Sequence, residues 1–131
     1  MDKPILFLVE DEEDTASLIR MIMEEEGYEI IHASDGRQAQ VKINALPPPA
    51  LVLLDMELPY LHGLELLAQI RKKTTWNGAP VVMLTADSDQ TRICKAIVAG
   101  ASDYILKPFK RESLLARLAR FRAPGLKRRT A

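Results

Sequence analysis

Short apolar runs recur along the chain at Ile5 to Val9, Tyr28 to Ala33, Ala50 to Leu54, Pro80 to Leu84 and Tyr104 to Leu106, and a stretch of helical periodicity follows each one. Runs this short and continuous suit strands buried on both faces, and their alternation with helices predicts a parallel sheet covered on both sides. Leu18, Ile19, Ile22 and Met23 fall on one helical face, as do Leu64, Leu67 and Ile70, then Ile93 and Ile97, then Leu114, Leu115, Leu118 and Phe121. The interval around Gln38 to Leu46 carries Ala39, Val41 and Ile43 without a clean stripe, and a helix is placed there because a parallel crossover requires one. Punctuation agrees: Gly27 and Gly100 end helices, Asp35-Gly36 turns into one, and Pro47-Pro48-Pro49 blocks continuation into the third strand. A (βα)₅ α/β unit of about 120 residues results.

Composition narrows the picture. With 131 residues and 47% hydrophobic content the chain fits one domain, residues 1–123, followed by a basic tail or start of a linker at 124–131. No stretch approaches the ~20 apolar residues of a membrane span, and the apolar run near Met1 closes on five acids, unlike a signal peptide, so a soluble cytoplasmic protein with no membrane partner is expected. Cys94 is the single cysteine, which excludes an internal disulfide or a zinc cluster, and it reads as a small buried hydrophobe. A formal net charge of zero conceals an asymmetry: residues 1–35 hold 11 acids and two bases, residues 107–131 nine bases and one acid. Glu12, Glu13 and Asp14 suit the positive end of the first helix, and Arg117, Arg120, Arg122 and Lys127 to Arg129 read as a solvated helix face and tail. Direct nucleic-acid binding is not expected, since the basic end lacks interleaved aromatics and a helix-turn-helix unit.

Ligands of open parallel sheets collect beyond the carboxyl ends of the strands. Glu10 and Asp11 follow the first run, Asp55 the third, Thr85-Ala86 the fourth and Lys107-Pro108 the fifth. Three carboxylates on one rim repel one another unless a hard divalent cation sits among them, and Mg²⁺ is the natural occupant. Magnesium with open positions commonly binds phosphate, for which Lys107 supplies a cation and Thr85 a hydroxyl. A carboxylate at the tip of a central strand is a nucleophile for in-line attack on phosphorus, so phosphoryl transfer is the leading chemistry.

Glu10-Asp11, Asp55-Met56-Glu57-Leu58-Pro59 with Gly63, Thr85-Ala86, and Gly100-Ala101-Ser102-Asp103-Tyr104 leading to Lys107-Pro108-Phe109 together resemble the receiver domain of two-component response regulators, over about residues 4 to 122. The resemblance implies a flavodoxin-like three-layer fold with strand order 2-1-3-4-5. It implies that Asp55 accepts a phosphoryl group from a histidine kinase's phosphohistidine or from a histidine phosphotransfer protein, after which a partner-binding face switches. It implies further that Asp11, Asp55 and the backbone carbonyl of Glu57 bind Mg²⁺, with Glu10 acting mainly through water, and that Lys107 pairs with the phosphoryl oxygens. Thr85 and Tyr104 become the switch pair, and Lys107-Pro108 a cis peptide. A phosphorylation-linked homodimer through Lys95, Asp103 and Arg117 is also implied, although Ser113 and Val98 stand where acids would be expected. Chemically this is a switch that modifies itself, not a multiple-turnover enzyme.

Several readings compete. Asp55 alone could be a helix N-cap, and Thr85 and Tyr104 suit a strand on packing grounds. A haloacid-dehalogenase-type phosphatase also uses a strand-end aspartate, Mg²⁺, a Thr or Ser and a Lys, but places its nucleophile after the first strand and its metal acids later, the reverse of the order here. A receiver-like scaffold working without phosphorylation is disfavoured by the complete set Asp11, Asp55, Thr85 and Lys107. A nucleotide module lacks its glycine-rich loop. Glu57 and Asp87 add acids near the phosphoryl entrance and are expected to slow small anionic donors and alter the lifetime of the product. His32 and His62 read as half-exposed residues without a role, and Trp76 as a cap over the edge of the fourth strand.

Overall fold

The computed structural model describes residues 3–126, and the elements alternate as the apolar pattern requires. They run β1 (Ile5–Val9), α1 (Glu13–Glu25), β2 (Glu29–Ala33), α2 (Gly36–Ala45), β3 (Leu51–Asp55), α3 (Gly63–Lys72), β4 (Val81–Thr85), α4 (Gln90–Val98), β5 (Asp103–Leu106) and α5 (Arg111–Leu118), closed by a 3₁₀ turn at Ala119–Phe121. The five strands form one parallel sheet of order β2-β1-β3-β4-β5. Helix α2 exists despite its missing stripe, burying Ala39 and Ile43 after an N-cap in which Asp35 accepts a hydrogen bond from Gln38 N–H.

Alternation along each strand divides the interior into two cores. Phe7, Val9, Val52, Leu54, Val81 and Met83 face Ile43 of α2, Leu66, Leu67 and Ile70 of α3 and Ala96 of α4. Leu6, Leu8, Leu51, Leu53, Val82, Leu84 and Ile105 face Ile19, Ile22 and Met23 of α1 and Leu114, Leu115 and Leu118 of α5. Every residue of β3 and β4 is buried, which explains why those runs show no polar alternation.

Three expectations are corrected by packing. Cys94 is exposed on α4, because only Ala96 of that helix is buried. Leu18 and Ile97 lie at the borders of their stripes, 39% and 43% exposed. Trp76 is core rather than cap: it is 1% exposed, meets Phe7 edge-to-face at 5.6 Å, and donates its indole N–H to Leu46 O at 3.0 Å. The basic face of α5 is exposed at Arg117 and Arg120, as expected, and both reach Asp103, while Arg122 is half-buried against Glu26. Within the segment expected as a tail or linker, Leu126 packs on the α1/α5 core beside Gly27; Lys127 to Arg129 lie outside the described residues.

Candidate functional site

Parallel pairing brings the carboxyl ends of β1, β3, β4 and β5 to one rim, so residues far apart in the chain meet there. Asp55 is the last residue of β3 and 2% exposed. Its Oδ1 accepts from Glu57 N–H at 3.0 Å, and its Oδ2 lies 3.2 Å from Lys107 Nζ. Gly63 keeps α3 against this strand end, because a Cβ there would sit 2.4 Å from the Asp55 carbonyl oxygen.

Glu10 is wholly buried and tied down on all sides. Its N–H donates to Ala33 O at 3.1 Å, its carbonyl lies 2.8 Å from His32 Nε2, and its Oε2 accepts from Glu12 N–H at 3.1 Å. Oε1 is taken by the Lys107 ammonium at 2.6 Å. Lys107 is positioned by its N–H on Thr85 O at 2.8 Å, just before the cis Lys107–Pro108 peptide. Asp11, exposed, completes a trio with Glu10 and Asp55 whose carboxylate oxygens lie within 4.8 Å of one another.

Three acids against one ammonium leave the pocket short of positive charge. Burial, and then the neighbouring Glu10, push the Asp55 carboxyl up to about 6, against the pull of Glu57 N–H and Lys107. Partial desolvation followed by Asp55 raises Asp11 as well. Burial alone would lower the Lys107 ammonium, but Glu10 and Asp55 outweigh it and hold it above its ordinary value. Convergent carboxylates, two of them raised, facing a single ammonium are the marks of a set that fits a hard divalent cation with oxygen ligands.

The remaining expected residues surround this centre without joining it. Thr85 is buried, and its Oγ1 accepts from Asp87 N–H at 3.0 Å instead of pointing a hydrogen bond at Asp55. The Glu57 side chain turns outward to Arg92, while its amide stays on Asp55. Tyr104 is half-buried in β5 under the Arg117 guanidinium, 4.9 Å from its ring centroid, and Arg117 Nε donates to Tyr104 O at 3.1 Å. Asp103 and Arg117 therefore meet within one chain, 3.7 Å apart, and Lys95 stands exposed on α4. Sequence reasoning missed Arg92, which binds both Glu57 and Asp87, and the grip of His32 on Glu10. It also missed Tyr60, whose φ of 72° in the loop after Asp55 is accompanied by Arg37 stacked 4.4 Å from its ring. Nothing in the spacing of these residues signals such contacts, since each joins a helix or strand to a loop outside that element.

Comparison with known proteins agrees with this geometry. Residues 6–119 match the family model of the response regulator receiver domain. The phosphate regulon transcriptional regulatory protein PhoB of Rhizobium meliloti is 34% identical over 115 residues, 88% of this chain and 50% of its own length. The DNA-binding response regulator MtrA of Mycobacterium tuberculosis is 36% identical over 113 residues, 86% of this chain and 48% of its own. The chain thus spans about half the length of these curated relatives. Among solved structures, the chemotaxis response regulator CheY4 of Vibrio cholerae superposes with a TM-score of 0.85 at 25% identity, covering 92% of this chain and 99% of that one. The receiver domain of sensor histidine kinase PA1611 from Pseudomonas aeruginosa, solved with a magnesium ion coordinated in its active-site cleft, gives 0.82 at 30% identity, covering 92% and 98%. With its sheet order, its acidic rim and a family match across most of its length, the chain belongs to the response regulator receiver domain family.

Proposed function

We propose that Asp55 is the phosphoacceptor of this receiver, residues 1–123, and that it takes its phosphoryl group from the phosphohistidine of a sensor histidine kinase or histidine phosphotransfer protein in the cytoplasm. An Asp55 carboxylate oxygen attacks phosphorus in line; the O–P bond forms as the P–N bond breaks, and the imidazole nitrogen of the donor keeps the electron pair and takes up a proton. The supporting observation is the buried Asp55 with Lys107 Nζ 3.2 Å away, inside a carboxylate trio that fits a divalent cation. Asp11, Asp55 and the Glu57 carbonyl would hold Mg²⁺, with Glu10 acting through water, and the bound ion would offset the charge of the phosphoryl oxygens. Lys107, 3.2 Å from Asp55 Oδ2, would neutralise a further oxygen.

Switching follows from what Thr85 must give up. To donate to a phosphoryl oxygen the Thr85 hydroxyl has to turn its proton away from Asp87 O, 3.4 Å off, so the phosphorylated arrangement differs from this one in the loop after β4. Tyr104 and Arg117, stacked on β5, are the neighbouring element that such a movement reaches. No helix among the described residues is long and apolar enough to cross a membrane. DNA contact is proposed only as the output of a longer protein, by analogy with the DNA-binding MtrA relatives.

Intact mass after incubation with a small phosphodonor and Mg²⁺ tests the proposal. One phosphoryl adduct on the wild type, absent from Asp55→Asn and absent in EDTA, is expected. An adduct that persists in Asp55→Asn, or sustained turnover of an added phosphate ester, would overturn it.

A further inference from the structure

Glu57 and Asp87 stand on two different loops, two residues past Asp55 and two past Thr85, and both reach the same guanidinium. Arg92 Nη1 lies 2.8 Å from Asp87 Oδ2 and 3.5 Å from Glu57 Oε1. Behind them, Glu57 N–H is on Asp55 Oδ1 and Asp87 N–H on Thr85 Oγ1, each at 3.0 Å, so the two loops that the guanidinium joins are both anchored on the site. Arg92 comes from the first turn of α4, and all three side chains are 34–53% exposed, at the surface beside the site rather than in the core.

The charges give this bridge a consequence. Inside, Glu10, Asp11 and Asp55 outnumber Lys107 by two negative charges; at the mouth, Glu57 and Asp87 outnumber Arg92 by one. Every phosphodonor is an anion, so unmasked carboxylates at the entrance would repel it before it reached Asp55. We infer that Arg92 is a donor-selecting residue of the phosphorylation site, masking Glu57 and Asp87 so that small, highly charged phosphoanions can approach Asp55. The inference rests on Asp55 being the acceptor. With acetyl phosphate the Asp55 oxygen–phosphorus bond forms as the bond from phosphorus to the acetyl oxygen breaks, and acetate leaves with the electron pair. Arg92 gains and loses no proton in that step; it acts on the approach. The expectation that Glu57 and Asp87 slow small donors is thereby modified: they do so fully only when the guanidinium is gone.

The test is the labelling rate at saturating Mg²⁺, with Mg²⁺ affinity measured separately for each variant, for acetyl phosphate and the less charged phosphoramidate. Arg92→Gln is expected to slow acetyl phosphate about three- to tenfold and phosphoramidate less, with the difference shrinking as salt is added. Adding Glu57→Gln and Asp87→Asn to Arg92→Gln is expected to restore the rate, which a guanidinium that merely staples α4 could not explain. Equal slowing of both donors, no salt dependence, or no rescue by the triple variant would overturn the inference. An unlabelled wild type would instead overturn the assignment of Asp55, and this inference with it.

Discussion

Helices α3 and α4 cover the same face of the sheet but are held there by different forces. Helix α3 buries Gly63, Leu66, Leu67 and Ile70, and its Arg71 reaches across to Gly100 O at 2.8 Å, Ala79 O at 2.7 Å and Asn77 O at 3.0 Å. Helix α4 buries Ala96 alone and leaves Val98 88% exposed; its polar ties are the Asp89 cap and the Arg92 bridge to the rim. Moving α3 would expose much apolar surface, whereas moving α4 would expose little and would chiefly rearrange ions. The acceptor is thus mounted on the rigid side, and the side able to answer a new charge at Asp55 is tied to the site by charged groups.

The largest effect expected of this contrast is on stability. Ile70→Ala should cost about 2–5 kcal/mol in urea unfolding, as deletions from a packed core do. A loss no larger than that of an α4 substitution would break the comparison. Next comes the acceptor itself. In EDTA, Asp55→Asn should raise the thermal midpoint by a few degrees near pH 7.5, because burial beside Glu10 disfavours the ionised carboxylate. The sign follows from the carboxyl standing at about 6 in the fold against 3.8 ordinarily. Between those values the folded state holds a proton the unfolded state lacks, so the metal-free wild type gains stability as pH falls through 6 and the advantage of Asn fades. An advantage that grew on acidification would contradict this.

On the β2 side, His32→Leu removes the grip on the Glu10 carbonyl and should weaken Mg²⁺ binding about tenfold by calorimetry, with His32→Gln retaining part of the affinity. Unchanged affinity would show that the Glu10 backbone needs no such anchor. The smallest effect is expected on α4, where Val98→Ala should shift stability by less than about 0.5 kcal/mol. A larger cost would mean that α4 is packed more firmly than its exposure indicates.

The strands and the acid and lysine positions were legible because burial on both faces forces continuous apolar runs, and the sheet must end where those runs do. Asp55 and Thr85 are the final residues of β3 and β4. The burial of Trp76 was not legible, since a tryptophan flanked by Thr75 and Asn77 carries no periodicity, and only the gap between Phe7 and Leu46 makes it core. The exposure of Cys94 and Ile97 was hidden for the opposite reason: an apolar stripe does not say how closely its helix approaches the sheet.

The sequence by itself determined the alternation of strands and helices, and with it the convergence of Glu10, Asp11, Asp55 and Lys107, because a parallel sheet brings the carboxyl ends of its strands to one rim whatever the loops do. Only the tertiary structure decided how the charges around that rim are shared. That Arg92 joins Glu57 to Asp87, that His32 holds Glu10, and that Asp103 is taken by Arg117 and Arg120 of its own chain depend on distances of a few ångströms between loops and helices, which no periodicity encodes.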